Sequence, residues 1–199
     1  LPQDSHFTSL DEQKRLLDAD DLIICDGKGE PMCIGGVFGG LSSGVTDSTT
    51  TIFLESAHFD AGSIRKSSTR HNLRTDAAKV FEKGSDPNIT AYALKRAALL
   101  IQEYANGTMA SEIIDIYPTE MLPREIFLKY EKVRTIIGAD ISKEEIQNIL
   151  RAMNMEIAPV DDQTIKVMVP TNKADVLRDI DLIEEILRIY GFNKIEIPE

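Results

Sequence analysis

Along this chain the apolar positions fall into short clusters before residue 60 and into helical stripes after it. Leu22, Ile23, Ile24 and Cys25 read as a short apolar strand, closed by the turn residues Asp26, Gly27, Lys28 and Gly29. Met32, Cys33 and Ile34 return as the second arm of a hairpin. Residues 7–17 precede it as a strand or loop that leads into the acidic run Asp18, Asp20, Asp21. Residues 49–54 predict a further strand, β-branched at its start and apolar at its end. The pattern then turns helical over residues 61–72. Residues 87–106 predict the longest helix, with Ile89, Ala93, Leu94, Ala97, Leu100, Ile101 and Tyr104 on one stripe and Asn106-Gly107 as the stop. That stripe predicts a structural wall for the sheet.

A strand at residues 113–116 leads to a boundary where Pro118 and Pro123 bracket a short polar piece. The element order then changes. A strand at 126–128, a helix at 131–137 stopped by Gly138, and a helix at 142–153 opened by Ser142 with Glu145 come first. A hairpin of residues 156–160 and 164–169 follows, then a closing helix at 179–190 with Gly191 as its cap. Two short helices before a hairpin resemble a winged-helix arrangement. The reading is an α+β chain in two units, residues 1–120 and 121–199: a mixed sheet with flanking helices, then a small winged-helix-like domain.

Composition narrows the function classes. With 199 residues, 42% hydrophobic and 28% charged, the chain reads as globular rather than disordered. It has no apolar run long enough to cross a membrane. The net charge of -11 argues against a freestanding nucleic-acid binder, though not against a module placed on RNA by a larger assembly. Cys25 and Cys33 lack partners at zinc-ligand spacing and read as reduced, core-facing thiols of a cytoplasmic protein. Residues 1–6 carry no initiator Met, so the chain reads as a piece of something longer.

Two stretches carry candidate chemistry. Gly35, Gly36, Gly39 and Gly40 surround Val37 and Phe38, a pattern that asks for positive φ or for close approach of another group. Sixteen residues beyond Gly39 stands a single carboxylate, Glu55, and Thr75 or Asp76 opens a new helix. Loop, acid and helix start read as converging on one pocket. Between them lie Arg65, Lys66, Arg70, His71 and Arg74. These are either a contact for a phosphate backbone or a solvated face that neutralises nearby carboxylates. In the last helix, Asp181 shares a face with Glu184 and Glu185, and Asp175 precedes them. Such oxygen ligands suit Mg2+, whereas acidic residues at a helix start also serve the macrodipole. Arg188, four residues after Glu184, is placed to pair with it instead.

The run from Ile34 to Asp47, then Leu54, Glu55, Ser56, Ala57, then Arg70, His71, Leu73, Thr75, Asp76, Ala77, then Phe81 to Pro87, closely resembles the B3/B4 editing module of bacterial phenylalanyl-tRNA synthetase beta subunits. The tail, from Pro170 through Asp175, Asp181, Glu184 and Glu185 to Asn193, looks like the B5 domain that follows it there. The resemblance implies residues 1–120 as a partial editing domain and 121–199 as B5. It implies a parent α2β2 enzyme that joins phenylalanine to tRNA(Phe) with ATP and Mg2+, partnered by an alpha subunit, and that hydrolyses tyrosine wrongly attached to that tRNA. By the same resemblance Glu55 recognises the tyrosine hydroxyl, Gly39 shapes the pocket, and Thr75 and Ala77 line it. Asp175, Asp181, Glu184 and Glu185 correspond to Mg2+ ligands shared with the alpha subunit, while ATP is not expected to bind here. His58 and His71 are candidate bases, with a positioned water the alternative. The family's pocket is completed by an upstream His-bearing segment, so open sheet edges and self-association of the fragment are expected.

Other classes stay open at this stage. A nucleotide-binding glycine loop is one, although no Gly-Lys-Ser/Thr follows the glycines. A purely architectural protein- or RNA-docking module without chemistry is the other.

Overall fold

The computed structural model describes residues 5–195. Their contacts divide the chain between Ile116 and Tyr117 into two compact units.

In the first unit, β1 (His6–Thr8) and β2 (Lys14–Leu16) form an antiparallel hairpin. A second sheet holds β3 (Ile23–Cys25), β4 (Pro31–Ile34) and β5 (Phe38–Gly39) in that order, all antiparallel. Gly40 joins the two sheets through a bridge to Ser9. The β3–β4 turn is fastened by the Asp26 carboxylate, which accepts from the backbone N–H groups of Lys28 and Glu30. Helix α1 (Ala61–Arg70) starts at Asp60, whose side chain accepts from the Ser63 N–H. Its buried residues are Ile64, Ser67 and Ser68. Helix α2 (Asp76–Phe81) is capped by Thr75. The core of this unit is Phe7, Leu17, Ile34, Val37, Phe59, Ile64, Leu73 and Ala78.

Two of the glycines are there because a neighbour is close. Gly36 has φ +67, and a Cβ on it would lie 2.6 Å from the Phe59 ring. A Cβ on Gly40 would lie 2.6 Å from the Met32 carbonyl oxygen. Cys25 and Cys33 are free thiols, half-buried rather than in the core.

Three sequence expectations need correction here. Residues 49–54 form no strand, and Phe53 is 90% exposed. Residues 113–116 form none either, and Ile114 and Ile116 are exposed. Both runs have β-branched composition, but a strand exists only when a partner supplies the ladder, and none of the described residues does so. The third correction concerns α3 (Thr90–Ala105), which follows a 3-10 turn at Pro87–Ile89 and ends at Asn106 in the left-handed conformation. It has the expected position and stop, yet none of its residues is buried, so it is not a wall behind the sheet.

The second unit is built on a sheet of order β6-β8-β7, antiparallel throughout: β6 (Arg124–Lys129), β7 (Glu156–Pro159) and β8 (Thr164–Val169). Ile126 and Leu128 of β6 alternate inward with Ile165, Val167 and Val169 of β8. Against them pack α4 (Tyr130–Ile137), ended by Gly138 at φ 75, and α5 (Lys143–Ala152), where the Ser142 hydroxyl accepts from the Glu145 N–H. Helix α6 (Asp179–Tyr190) closes the unit with Leu182, Ile183 and Ile186 in the same core. The α+β reading and the closing helix at 179–190 both hold.

Candidate functional site

The Thr75 hydroxyl works in two directions. It accepts from the Ala78 N–H at 3.1 Å, capping α2, and donates to the Val37 carbonyl at 2.6 Å. One side chain therefore ties the start of a helix to the middle of the glycine run. Val37 is buried, and its own N–H donates back to the Ile34 carbonyl, so the tie reaches a fixed tight turn.

Gly39 lies in β5, paired with Cys33 of β4. Unlike Gly36 and Gly40 it is not crowded by backbone or rings. A Cβ there would meet only the end of the Leu10 side chain, at 2.9 Å, and Leu10 is 47% exposed and free to move. The fold thus does not demand glycine at position 39. What its missing side chain provides is open space on the β5 surface.

Glu55 sits in an irregular segment rather than at a strand end, and as a residue it is exposed. Protein nevertheless crowds its carboxyl enough for desolvation to raise its pKa above the usual carboxylate value. The carboxylate in turn acts on Cys33. Burial is the main cause of that thiol's raised pKa, and the Glu55 charge is the next. Cys33 is the ladder partner of Gly39, so the thiol on which the Glu55 charge bears stands beside the uncrowded glycine in the sheet. Ala77 lies on the exposed face of α2, two residues from Thr75. His58 Nδ1 is hydrogen-bonded to the Ser85 hydroxyl at 3.0 Å.

His71 is occupied elsewhere. Its Nε2 lies 2.7 Å from the Asp21 carboxylate, which also accepts from Ser67 Oγ at 2.6 Å and from Arg70 at 2.7 Å. Asp21 and His71 are almost wholly enclosed, with side-chain exposures of 0% and 5%. Burial is the largest influence on the Asp21 carboxyl and raises its pKa. The bonds from Ser67, the Asp18 backbone and His71 outweigh it, and the net shift is downward. Nothing in the local pattern joins these residues into a cluster, because Asp21 and His71 are fifty positions apart.

The acidic set around α6 does not converge. Among the described residues, no group of three or more His, Cys, Asp or Glu side chains is arranged to hold a metal ion. Asp181 accepts from the backbone N–H groups of Leu177 and Arg178 at 3.0 and 2.8 Å and closes the helix start, which lowers its pKa. Glu185, 8% exposed, pairs with Lys173 at 3.2 Å and with Arg188 at 2.6 Å. Glu184 and Asp175 are exposed. Asp181, Glu184 and Glu185 share a helix face by spacing but differ in surroundings, Glu184 exposed and Glu185 buried, and Arg188 pairs with Glu185, not with Glu184. Two of the four carboxylates, Asp181 and Glu185, thus have internal partners in this chain, while Asp175 and Glu184 face solvent.

A B3/4 domain model matches residues 2–106, and a tRNA synthetase B5 domain model matches residues 126–192. Similar proteins include the phenylalanine–tRNA ligase beta subunit of Porphyromonas gingivalis, 46% identical over 191 residues that make up 96% of this chain and 23% of that protein. The beta subunit of Bacteroides thetaiotaomicron is 47% identical over 198 residues, 100% of this chain and 24% of its own length. That of Geobacter sulfurreducens is 40% identical over 190 residues, 96% and 24%. The chain spans about a quarter of the length of the curated relatives it matches.

Proposed function

Because the chain belongs to the family of phenylalanine–tRNA ligase beta subunits, with a B3/4 domain followed by a B5 domain, we propose that its first unit is one wall of a hydrolytic editing pocket. The substrate is tRNA(Phe) carrying tyrosine in error. The observation that supports this reading is the Thr75 hydroxyl's bond to the Val37 carbonyl, which ties the glycine run to the helix start that carries Ala77, with Glu55 acting on Cys33, the ladder partner of Gly39. A carboxylate whose desolvation is left uncompensated gains a partner when the tyrosine hydroxyl arrives and none when phenylalanine does. Discrimination of this kind rests on a polar group that phenylalanine leaves unpaired. Gly39 leaves room for the ring, Thr75 fixes the loop that carries it, and Ala77 is small enough to border the ester. Water then attacks the ester carbonyl, the bond to the ribose oxygen breaks, and free tyrosine and tRNA leave, with proton movements carried by the bound water and the ribose.

The remainder of the reading concerns the whole protein: an α2β2 synthetase with an alpha subunit, ATP and Mg2+ in the cytoplasm, with B5 contributing to subunit and RNA docking. The boundary of the editing part at residue 120 belongs to it as well. No step here passes through Mg2+; Asp175, Asp181, Glu184 and Glu185 would contribute to a site for it together with the alpha subunit.

The test is deacylation by the complete α2β2 enzyme. With Glu55→Ala the preference for tyrosyl- over phenylalanyl-tRNA(Phe) collapses. Gly39→Val blocks hydrolysis of both while leaving the melting temperature within a few degrees of wild type. An architectural role, which the exposure of Glu55 and Ala77 favours, is the outcome if both variants edit normally.

A further inference from the structure

We propose that the outer face of α1 is a binding site for RNA phosphates, the surface on which the backbone of the mischarged RNA is held while its end lies in the pocket. The inference rests on the editing reading and names what holds the substrate.

Helix α1 buries Ile64, Ser67 and Ser68. By the three- and four-residue rule the opposite stripe is Gly62, Arg65, Lys66, Thr69 and Arg70, and these five line one shallow depression. Three cations thus share one exposed surface with Gly62 and Thr69. Residues 61–83 hold six basic residues and two acidic ones, in a chain of 22 basic and 33 acidic. A polyanion is repelled by most of this protein and attracted here.

The alternative is that these cations only neutralise neighbouring carboxylates, and the structure apportions them individually. Arg70 is spent in that way, on Asp18 and Asp21. Arg65 gives Nη2 to the Glu82 carbonyl at 2.9 Å, a neutral acceptor that leaves its charge uncompensated and joins α1 to the end of α2. Lys66 feels the Asp60 carboxylate but makes no ion pair among the described residues, and neither does Arg74, just before the Thr75 cap. Three exposed cations, Arg65, Lys66 and Arg74, therefore lack a carboxylate partner among the described residues. An acidic protein surface is the competing occupant. RNA is favoured because the chain runs from the end of this stripe at Arg70 through Arg74 directly into Thr75, the cap of the helix that carries Ala77.

The experiment uses the complete enzyme and measures KM and kcat for deacylation of tyrosyl-tRNA(Phe) from 50 to 300 mM salt. Lys66→Ala alone, and Lys66→Ala with Arg74→Ala, raise KM, leave kcat and the tyrosine preference unchanged, and reduce the slope of log KM against log salt by about 1 per cation removed. Lys66→Arg restores both. The proposal is overturned if wild type edits while the variants keep its KM and salt slope, if kcat falls at unchanged KM, or if the variants lose the alpha subunit instead, which would make this a protein-docking face. Failure of the wild-type enzyme to deacylate tyrosyl-tRNA(Phe) would sink the editing reading itself, a result distinct from all of these.

Discussion

The Thr75 hydroxyl and the Val37 carbonyl, 2.6 Å apart, join the start of α2 to the middle of the glycine run. Threonine at this position serves a helix and a loop together, because one oxygen accepts from Ala78 while its proton goes to Val37. Thr75→Val keeps the shape and removes both bonds. The expected loss is about 1–3 kcal/mol in urea denaturation, the cap and the loop bond together. Thr75→Ser recovers most of it. Amide exchange at Val37 and Phe38 should accelerate in the valine variant and not in the serine one. Unchanged exchange would show that the loop is held by something else.

Glu55 and Cys33 should titrate as neighbours. The Glu55 carboxyl has its pKa raised by desolvation, so the folded state holds its proton more tightly than the unfolded chain. Its cost to stability is absent below the ordinary value of 4.5, grows as pH rises through the folded value, and is constant above it. Glu55→Gln is therefore expected to melt higher than wild type at pH 7 and to lose that advantage near pH 4. In a Cys25→Ser background the same substitution lowers the Cys33 pKa, seen as faster alkylation at pH 8. Equal alkylation rates would separate the two residues.

The Asp21 cluster makes the opposite pH prediction. A carboxyl whose folded pKa is lowered contributes stability above its ordinary value of 3.8, and the contribution disappears as pH falls through the folded value. Asp21→Ala leaves His71 and Arg70 without their shared acceptor. Removing one partner of a buried pair costs about 3–5 kcal/mol, and the lower end applies because a third of the Arg70 side chain meets solvent. The difference between variant and wild type should be full at pH 6 and shrink below pH 3.8, as followed by guanidinium denaturation.

Magnesium is expected to leave the melting temperature of this chain unchanged at millimolar concentration, because Asp181 and Glu185 already have internal partners. Asp181→Asn should lower the melting temperature with or without the ion. A rise with Mg2+ in wild type that Glu185→Gln removes would show that the pairs open for a metal.

Local signals were the legible ones. The Ser142 cap, the stop at Gly138 and the whole span of α6 could be read because each depends on residues within one helical turn. The Thr75 cap was legible for the same reason, but its bond to Val37, thirty-eight positions away, was not. Residues 49–54 and 113–116 show the limit from the other side. Their β-branched composition states a preference, and a strand forms only where another segment answers it. In the candidate site, the glycine run, Glu55 and Thr75 were visible in the sequence. That Gly36 and Gly40 serve packing while Gly39 does not became visible only from what surrounds each of them. The duty of Asp181 was hidden because a helix-start acid reads alike whether it binds a metal or two backbone N–H groups.

The end of α3 carries a chemical clock. Asn106-Gly107 is a sequence prone to deamidation, in which the glycine nitrogen attacks the asparagine side-chain carbonyl carbon, ammonia leaves, and the resulting succinimide is opened by water mainly to isoaspartate. Here that nitrogen donates to the Ile101 carbonyl at 3.3 Å, and a side chain at 107 would collide with Ile101, so the turn holds the nucleophile away from its target. Each time the last turn of α3 unravels, the restraint is lifted. Isoaspartate at position 106 thus accumulates in proportion to the time this helix end spends open, and an aged sample carries a covalent record of a motion too brief to be seen directly.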